Sequence, residues 1–302
     1  MQTSRIYHAA HIFASLVLLI VALGPLFDSA GAQIKEKFVW GTVDDGDAKN
    51  FRTTSDAITG AGSVVGLRDL HASGSAELSA ARWKGLLSSY HQPITVFDLR
   101  EEEHIFVNGM PVNVTPADWD SIRLSHESIV TDERKEAQAL KVKSEIAIAQ
   151  KNSEKTGGRP AEVAVKAVST EEDIVKSAGA RYIRLTVKDG GLPADIELDR
   201  FLVAVRDLPQ NSWVHFHCQA GHGRTTRFLA LYDMLHNANR VSLHDILNRQ
   251  SLLVHEPALL TESDEKHPER LQHFETFYEY ARQNPGGRPL LWTEWKKNHP
   301  NP

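Results

Sequence analysis

Nine residues, His217-Cys218-Gln219-Ala220-Gly221-His222-Gly223-Arg224-Thr225, constrain this chain more than any other stretch. They follow a short apolar run, Trp213 to Phe216, with the composition of a buried strand. They lead directly into a helical pattern from Arg224 to about Leu235. A strand that turns straight into a helix leaves the first N–H groups of that helix unpaired, and with the helix dipole they favour an anion at the turn. Gly221 and Gly223 let the backbone curl so that successive N–H groups face inward as a nest. Arg224, six residues after Cys218, can return across the ring and fork onto two phosphate oxygens. The same positive field favours the thiolate of Cys218. A nucleophile beneath a bound tetrahedral anion is the expectation, cradled by Gln219, Ala220, Gly221, His222 and Gly223. The bland reading of a lone thiol is a buried core cysteine. It accounts for neither the glycines nor the arginine.

Strands alternate with helices on either side of this turn, which implies an α/β layered domain. Ala76 to Tyr90 reads as a helix opened by Ser75. The β-branched run Ile94 to Leu99 reads as a buried strand that delivers Asp98, Arg100 and Glu102 at its C-terminal edge, where α/β sites gather. Ser169-Thr170-Glu171-Glu172 is a capping-box pattern, Tyr182 to Val187 a strand, and Asp195 to Leu208 a helix with Ile196, Phe201, Leu202 and Val205 on one face. Helices are expected near Leu243–Leu252 and Pro268–Arg282. From about Val107 to Val168 the pattern changes. A charged helix, Asp132 to Leu140, is followed by period-two alternation at Val142–Ala149 and again at Val163 and Val165, around a polar turn from Lys151 to Pro160. This reads as an insertion carrying a small β-rich subdomain.

The N-terminus has the layout of a secretory signal peptide: Arg5, an apolar run from Ile12 to Phe27, then Ala30-Gly31-Ala32. Residues 1–32 are expected to be removed, leaving a mature domain from Gln33 to Pro302 that is periplasmic or secreted, with no stable membrane anchor. An exported chain commonly uses disulfides, but Cys218 is the only cysteine. A net charge of −5 argues against nucleic acid as the main partner.

The loop resembles the signature of protein-tyrosine-phosphatase-like enzymes, and a wider match narrows the subgroup. Phe97-Asp98-Leu99-Arg100-Glu101-Glu102-Glu103-His104, followed by Asn108-Gly109-Met110-Pro111-Val112, is similar to the D-L-R-x-E-x-H…N-G block of bacterial cysteine phytases. Ser73-Gly74-Ser75-Ala76, Tyr182-Ile183-Arg184, Asp199-Arg200-Phe201, Asp245-Ile246-Leu247-Asn248-Arg249-Gln250 and the closing Trp292…Trp295-Lys296-Lys297-Asn298-His299-Pro300 resemble that family as well.

The resemblance implies a protein-tyrosine-phosphatase-like α/β core, a central sheet flanked by helices, beside a small β domain. It implies a small-molecule substrate, inositol polyphosphate, hydrolysed without metal or other cofactor through a cysteinyl-phosphate. It also assigns roles. Asp189, in Asp189-Gly190-Gly191-Leu192-Pro193, matches the general acid, on a loop whose glycines suit a lid. Thr225 donates to Cys218, and His217 shapes the loop. Arg52, Lys188 and Lys297 supply further cations around the pocket, while Asp98 and Arg100 sit at a strand end, where Asp98 can bind an inositol hydroxyl or a loop N–H. A homodimer is left open.

The chain departs from the family pattern at Gly190, where a histidine is usual, and at Leu192, where an aromatic is common. A secreted protein-tyrosine phosphatase or effector uses the same chemistry. A catalytically silent phosphate-binding module or a rhodanese-like sulfurtransferase fits the flanking residues less well. His222 can hold an additional phosphate only when protonated, so activity on polyphosphorylated substrates is expected to favour mildly acidic pH. A flat profile between about pH 4.5 and 7.5 would overturn that expectation.

Overall fold

The computed structural model describes residues 37–41, 43, 48–115, 125–151, 159–255 and 268–299. The expected signal peptide and most of the turn from Lys151 to Pro160 lie outside these residues. Eleven strands are described: β1 (Lys37–Trp40), β2 (Arg52–Thr53), β3 (Ala72–Ser75), β4 (Ile94–Arg100), β5 (His104–Val107), β6 (Met110–Thr115), β7 (Glu145–Ala149), β8 (Ala161–Ala164), β9 (Val168–Ser169), β10 (Arg181–Val187) and β11 (Trp213–His217). The α-helices are α1 (Ala80–Ser88), α2 (His126–Leu140), α3 (Glu171–Ser177), α4 (Asp195–Arg206), α5 (Gly223–Asn237), α6 (Leu243–Leu253), α7 (Pro268–Gln283) and α8 (Trp292–Asn298). Among the described residues no helix is long and apolar enough to cross a membrane.

The main sheet runs β10-β4-β11-β3-β2, parallel except for β2. Its interior strand β4 is buried along its whole length, as expected of a parallel strand covered on both faces. One face packs Phe97, Leu99, Phe216 and Val214 against α4, α5 and the C-terminal helices, with Phe201, Phe228 and Trp292 in the same core. The other face packs Val96 and Ile94 against Trp83 and Leu87 of α1 and Val175 of α3. Almost every side of α5 is buried, so this helix is the central post of the domain rather than an amphipathic surface helix.

A second sheet runs β8-β7-β1-β6-β5-β9. The expected hairpin is present as β7 and β8, antiparallel with Ile146 opposite Val163. The sheet reaches beyond residues 107–168. It takes in β5, and its middle strand is β1, which pairs with β6 on one side and β7 on the other. Helix α2 covers it with Ala137 and Leu140 against Ile105, Val112 and Ile148. Two local expectations change. The first helix starts at Ala80, capped by Ser79, because the Ala76 and Glu77 amides are bound to Lys49 and Gln219 carbonyls and keep that segment extended. Ile196 faces outward at 57% exposure rather than joining the core face of α4.

Between the sheets lies a buried charge cluster. Asp98 accepts from the Tyr182 hydroxyl at 2.6 Å and from Arg184 at 2.8 Å, and lies 3.2 Å from His104 Nε2. Glu133 on α2 and Glu171 on α3 also approach His104, each at 3.5 Å. Burial and Arg100 push the His104 pKa down, but Asp98 and Glu133 outweigh them and it rises to about 9. A raised folded-state pKa stabilises the fold below the ordinary imidazole value of about 6.5, and that contribution is lost as pH rises through about 9. The unfolding free energy from urea titration is expected to fall between pH 6.5 and 9.5, by up to about 3 kcal/mol. In His104→Gln that pH dependence should be largely absent, and an equal drop in both proteins would refute the assignment.

Candidate active site

Cys218 follows β11 and is 3% exposed, on the floor of the loop that opens α5. The four carbonyls after it are held from outside the loop or by the helix. Glu77 N–H donates to Gln219 O at 3.3 Å and the Asn50 side chain to Ala220 O at 2.8 Å. Arg52 Nη1 donates to Gly221 O at 2.7 Å, and Thr226 N–H to His222 O at 2.8 Å. In a trans peptide the N–H points opposite to the preceding C=O. The N–H groups of Ala220, Gly221, His222 and Gly223 therefore point away from those carbonyl partners, the arrangement an anion nest requires. Only glycine fits at 221: its φ is +73°, and a Cβ there would lie 2.3 Å from Ala76 N.

Thr225 Oγ1 donates to Cys218 Sγ at 3.2 Å. Arg224 is 3% exposed, and Glu102 grips it with both oxygens at 2.6 and 2.8 Å, while Val187 O accepts from Nη1 at 3.0 Å. Burial would raise the Glu102 pKa, but the guanidiniums of Arg224 and Arg100 hold it down at about 2. The Arg224 plane is thus fixed before any ligand arrives. Asp189 follows β10 with its side chain 85% exposed, and its Oδ1 lies 3.3 Å from Arg224 Nη2. Cys218, Thr225, Arg224 and Asp189 meet in one place although 29 positions separate Asp189 from Cys218.

His217 is buried beneath the loop, 2.6 Å from Glu171 and edge-on to Trp83. It ties the loop to the first turn of α3. Asp98, Glu171 and His217 bring ligand atoms within 4.8 Å of one another. Those atoms already face each other and the Arg184 guanidinium, an unfavourable setting for a cation.

Three of the residues assigned to substrate are buried and bound to other protein groups. Arg52 is 2% exposed and donates to Asn50 O, Gly221 O and Thr226 Oγ1, so it clasps the loop from behind. Arg100 is fully buried between Glu77, Glu102 and Asn113. Asp98 is fully buried within the charge cluster. Lys188 is exposed beside Asp189, and Lys297 is exposed on α8, which packs against α4. The sequence reading missed the roles of Glu102, Asn50 and Lys151. Glu102 stands inside the quoted D-L-R-x-E block and was legible there. Lys151, whose Nζ is 3.4 Å from Gln219 Oε1, comes from the turn after β7, and no local pattern announces it. A cavity of about 650 Å³ between α2, β10 and α4 is lined by none of the loop residues.

A cysteine at a strand–loop–helix turn, with a clamped arginine and an adjacent acid, defines a site of the cysteine-dependent phosphatase class. Residues 97–236 match the protein-tyrosine-phosphatase-like phytase family, described as inositol hexakisphosphate. A solved protein-tyrosine-phosphatase-like phytase from Bdellovibrio bacteriovorus is 34% identical, with a TM-score of 0.67 over 86% of this chain and 94% of that one. The chain belongs to this family. A protein-tyrosine-phosphatase-like myo-inositol phosphatase from Mitsuokella multacida, solved with myo-inositol-(1,3,4,5)-tetrakisphosphate, is 29% identical with a TM-score of 0.77, covering 88% of this chain and 48% of its own. Effector protein hopD2 of Pseudomonas syringae pv. tomato is 31% identical over 82% of this chain and 56% of its own length. The chain thus spans about half the length of these two relatives.

Arg52 provides a test. Its loss leaves the buried Gly221 carbonyl, the part-buried Asn50 carbonyl and the Thr226 hydroxyl short of a donor, at about 1–3 kcal/mol. Arg52→Met is expected to lower kcat and the unfolding temperature together. A raised KM with both others unchanged would return Arg52 to the substrate pocket.

Proposed function

We propose that this chain hydrolyses phosphate monoesters of myo-inositol polyphosphates through a cysteinyl-phosphate. The observation that carries the chemistry is the loop itself, with its carbonyls tied outward and Cys218, Thr225 and Arg224 gathered on the inner side. In the first step the Cys218 thiolate forms the S–P bond as the ester P–O bond breaks, and the Asp189 carboxyl gives its proton to the departing oxygen. Loop N–H groups and the Arg224 fork hold the phosphoryl oxygens. In the second step the Asp189 carboxylate takes a proton from water, whose oxygen attacks phosphorus. The S–P bond then breaks, and the returning thiolate accepts the Thr225 hydrogen bond.

The inositol assignment is supported by family membership, by the inositol phosphate held by the Mitsuokella relative, and by Lys151 and Lys188 at the rim. Export through the N-terminal segment is part of the same proposal and rests on the sequence of residues 1–32. The likeness to an effector protein favours a second reading, in which the substrate is a phosphorylated protein.

Phosphate release from myo-inositol hexakisphosphate is to be measured beside a phosphotyrosine peptide, with chelator present and with a Cys218→Ser control. Faster release from the inositol, abolished in Cys218→Ser, is expected. Preference for the peptide would overturn the inositol assignment, and release by Cys218→Ser would overturn the mechanism.

A further inference from the structure

The proposed reaction needs Asp189 at the leaving oxygen, yet side-chain packing does little to keep its loop there. Asp189 is largely exposed, and Gly190 at φ +69° has nothing within 4 Å of where a Cβ would stand. A cavity of about 70 Å³ opens beneath the loop, lined by Gly190, Gly223, Arg224, Arg227, Arg270 and Phe274. Two guanidiniums reach the loop there. Arg227 Nη1, from α5, donates to the Gly191 carbonyl, and Arg270 Nη2, from α7, donates to the Gly190 carbonyl at 3.0 Å.

Arg227 holds its charge at a cost. It is 9% exposed, and its Nε has no hydrogen-bond partner among the described residues. Burial, and then the charges of Arg270 and Arg224, lower its pKa to about 10. A hydrophobic side chain would pack there without that penalty, but could not bind a carbonyl. The helix that presents Arg224 to the phosphate presents Arg227 one turn later to the acid loop, so α5 fixes both within one rigid element.

We propose that Arg227 and Arg270 are positioning residues that tether the Gly190 and Gly191 carbonyls and so hold the Asp189 carboxyl over the loop nest before substrate binds. The glycine loop then acts as a preset arm rather than a lid whose closure depends on substrate. This rests on the reading of Asp189 as proton donor.

The test exploits leaving-group chemistry. A benzyl alkoxide needs a proton to depart and a p-nitrophenolate hardly does, although the two esters are similar in shape and carry one phosphate each. Neither depends on inositol specificity. Turnover of benzyl phosphate and p-nitrophenyl phosphate is to be compared in wild type, Asp189→Asn, Arg227→Met, Arg270→Met and Arg227→Lys. Asp189→Asn is expected to lose about 100-fold or more on the benzyl ester and much less on the other. Each methionine variant is expected to lose about tenfold more on the benzyl ester than on the p-nitrophenyl ester, with Arg227→Lys recovering part of the difference. Arg270 is only half-buried, so its variant reads the tether even if Arg227→Met folds poorly. Equal losses on both esters, or none, with selectivity intact in Asp189→Asn, would overturn the tether alone. Lack of selectivity in Asp189→Asn would overturn the proton donor, and the tether with it.

Discussion

Four groups, the Glu77 and Thr226 amides and the Asn50 and Arg52 side chains, each take one carbonyl of residues 219–222. That outward pinning turns the intervening N–H groups to the side where Cys218 and Arg224 stand. Without it the segment would be an ordinary glycine-containing turn, free to point its dipoles either way. The carbonyls are reached from β2, from the segment before α1 and from α5, so the nest depends on how the main sheet meets its central helix. Gly221, which no side chain can replace against the Ala76 amide, is the point of closest approach.

Charge is layered around this nest. Arg224 is gripped by Glu102 and the Val187 carbonyl, and Glu102 shares Arg100, which reaches on to Glu77, whose amide in turn holds the loop. Beneath them Asp98, Glu133, Glu171, His104 and Arg184 form buried ion pairs between the two sheets, with His217 against Glu171. Such pairs return little net stability after desolvation, but removing one partner leaves the other uncompensated. Their effect here is geometric. They link β4, β5, β10, β11, α2 and α3, and so set the small sheet and its Lys151 at the edge of the loop.

The two cations expected at the pocket and found instead behind it, Arg52 and Arg100, show how a guanidinium can serve an anion site without touching the anion. Each donates to groups that the loop or its arginine needs held. Arg227 and Arg270 extend the same use of charge to the acid loop, through carbonyls rather than carboxylates. The proposed chemistry requires a nucleophile, a clamp and a proton donor in register, and in each case an arginine from another element helps to supply that register.

The sequence by itself determined the loop and its neighbours. H-C-x-x-G-x-G-R-T between an apolar run and a helical pattern carries its own geometry, because glycines, a helix start and an arginine at fixed spacing act locally. The α/β layering, the β7–β8 hairpin and the helices from α4 to α7 were also legible, since each has its own period or cap. Tertiary structure decided what joins them. β1 lies at the middle of the second sheet, 72 or more positions from its partners on β6, and four residues give no periodic signal. Whether Arg52, Arg100, Arg227 or Lys151 faces ligand, loop or solvent depends on which distant backbone stands opposite. A side chain's partners across the fold are a property of packing, and the local sequence around it does not encode them.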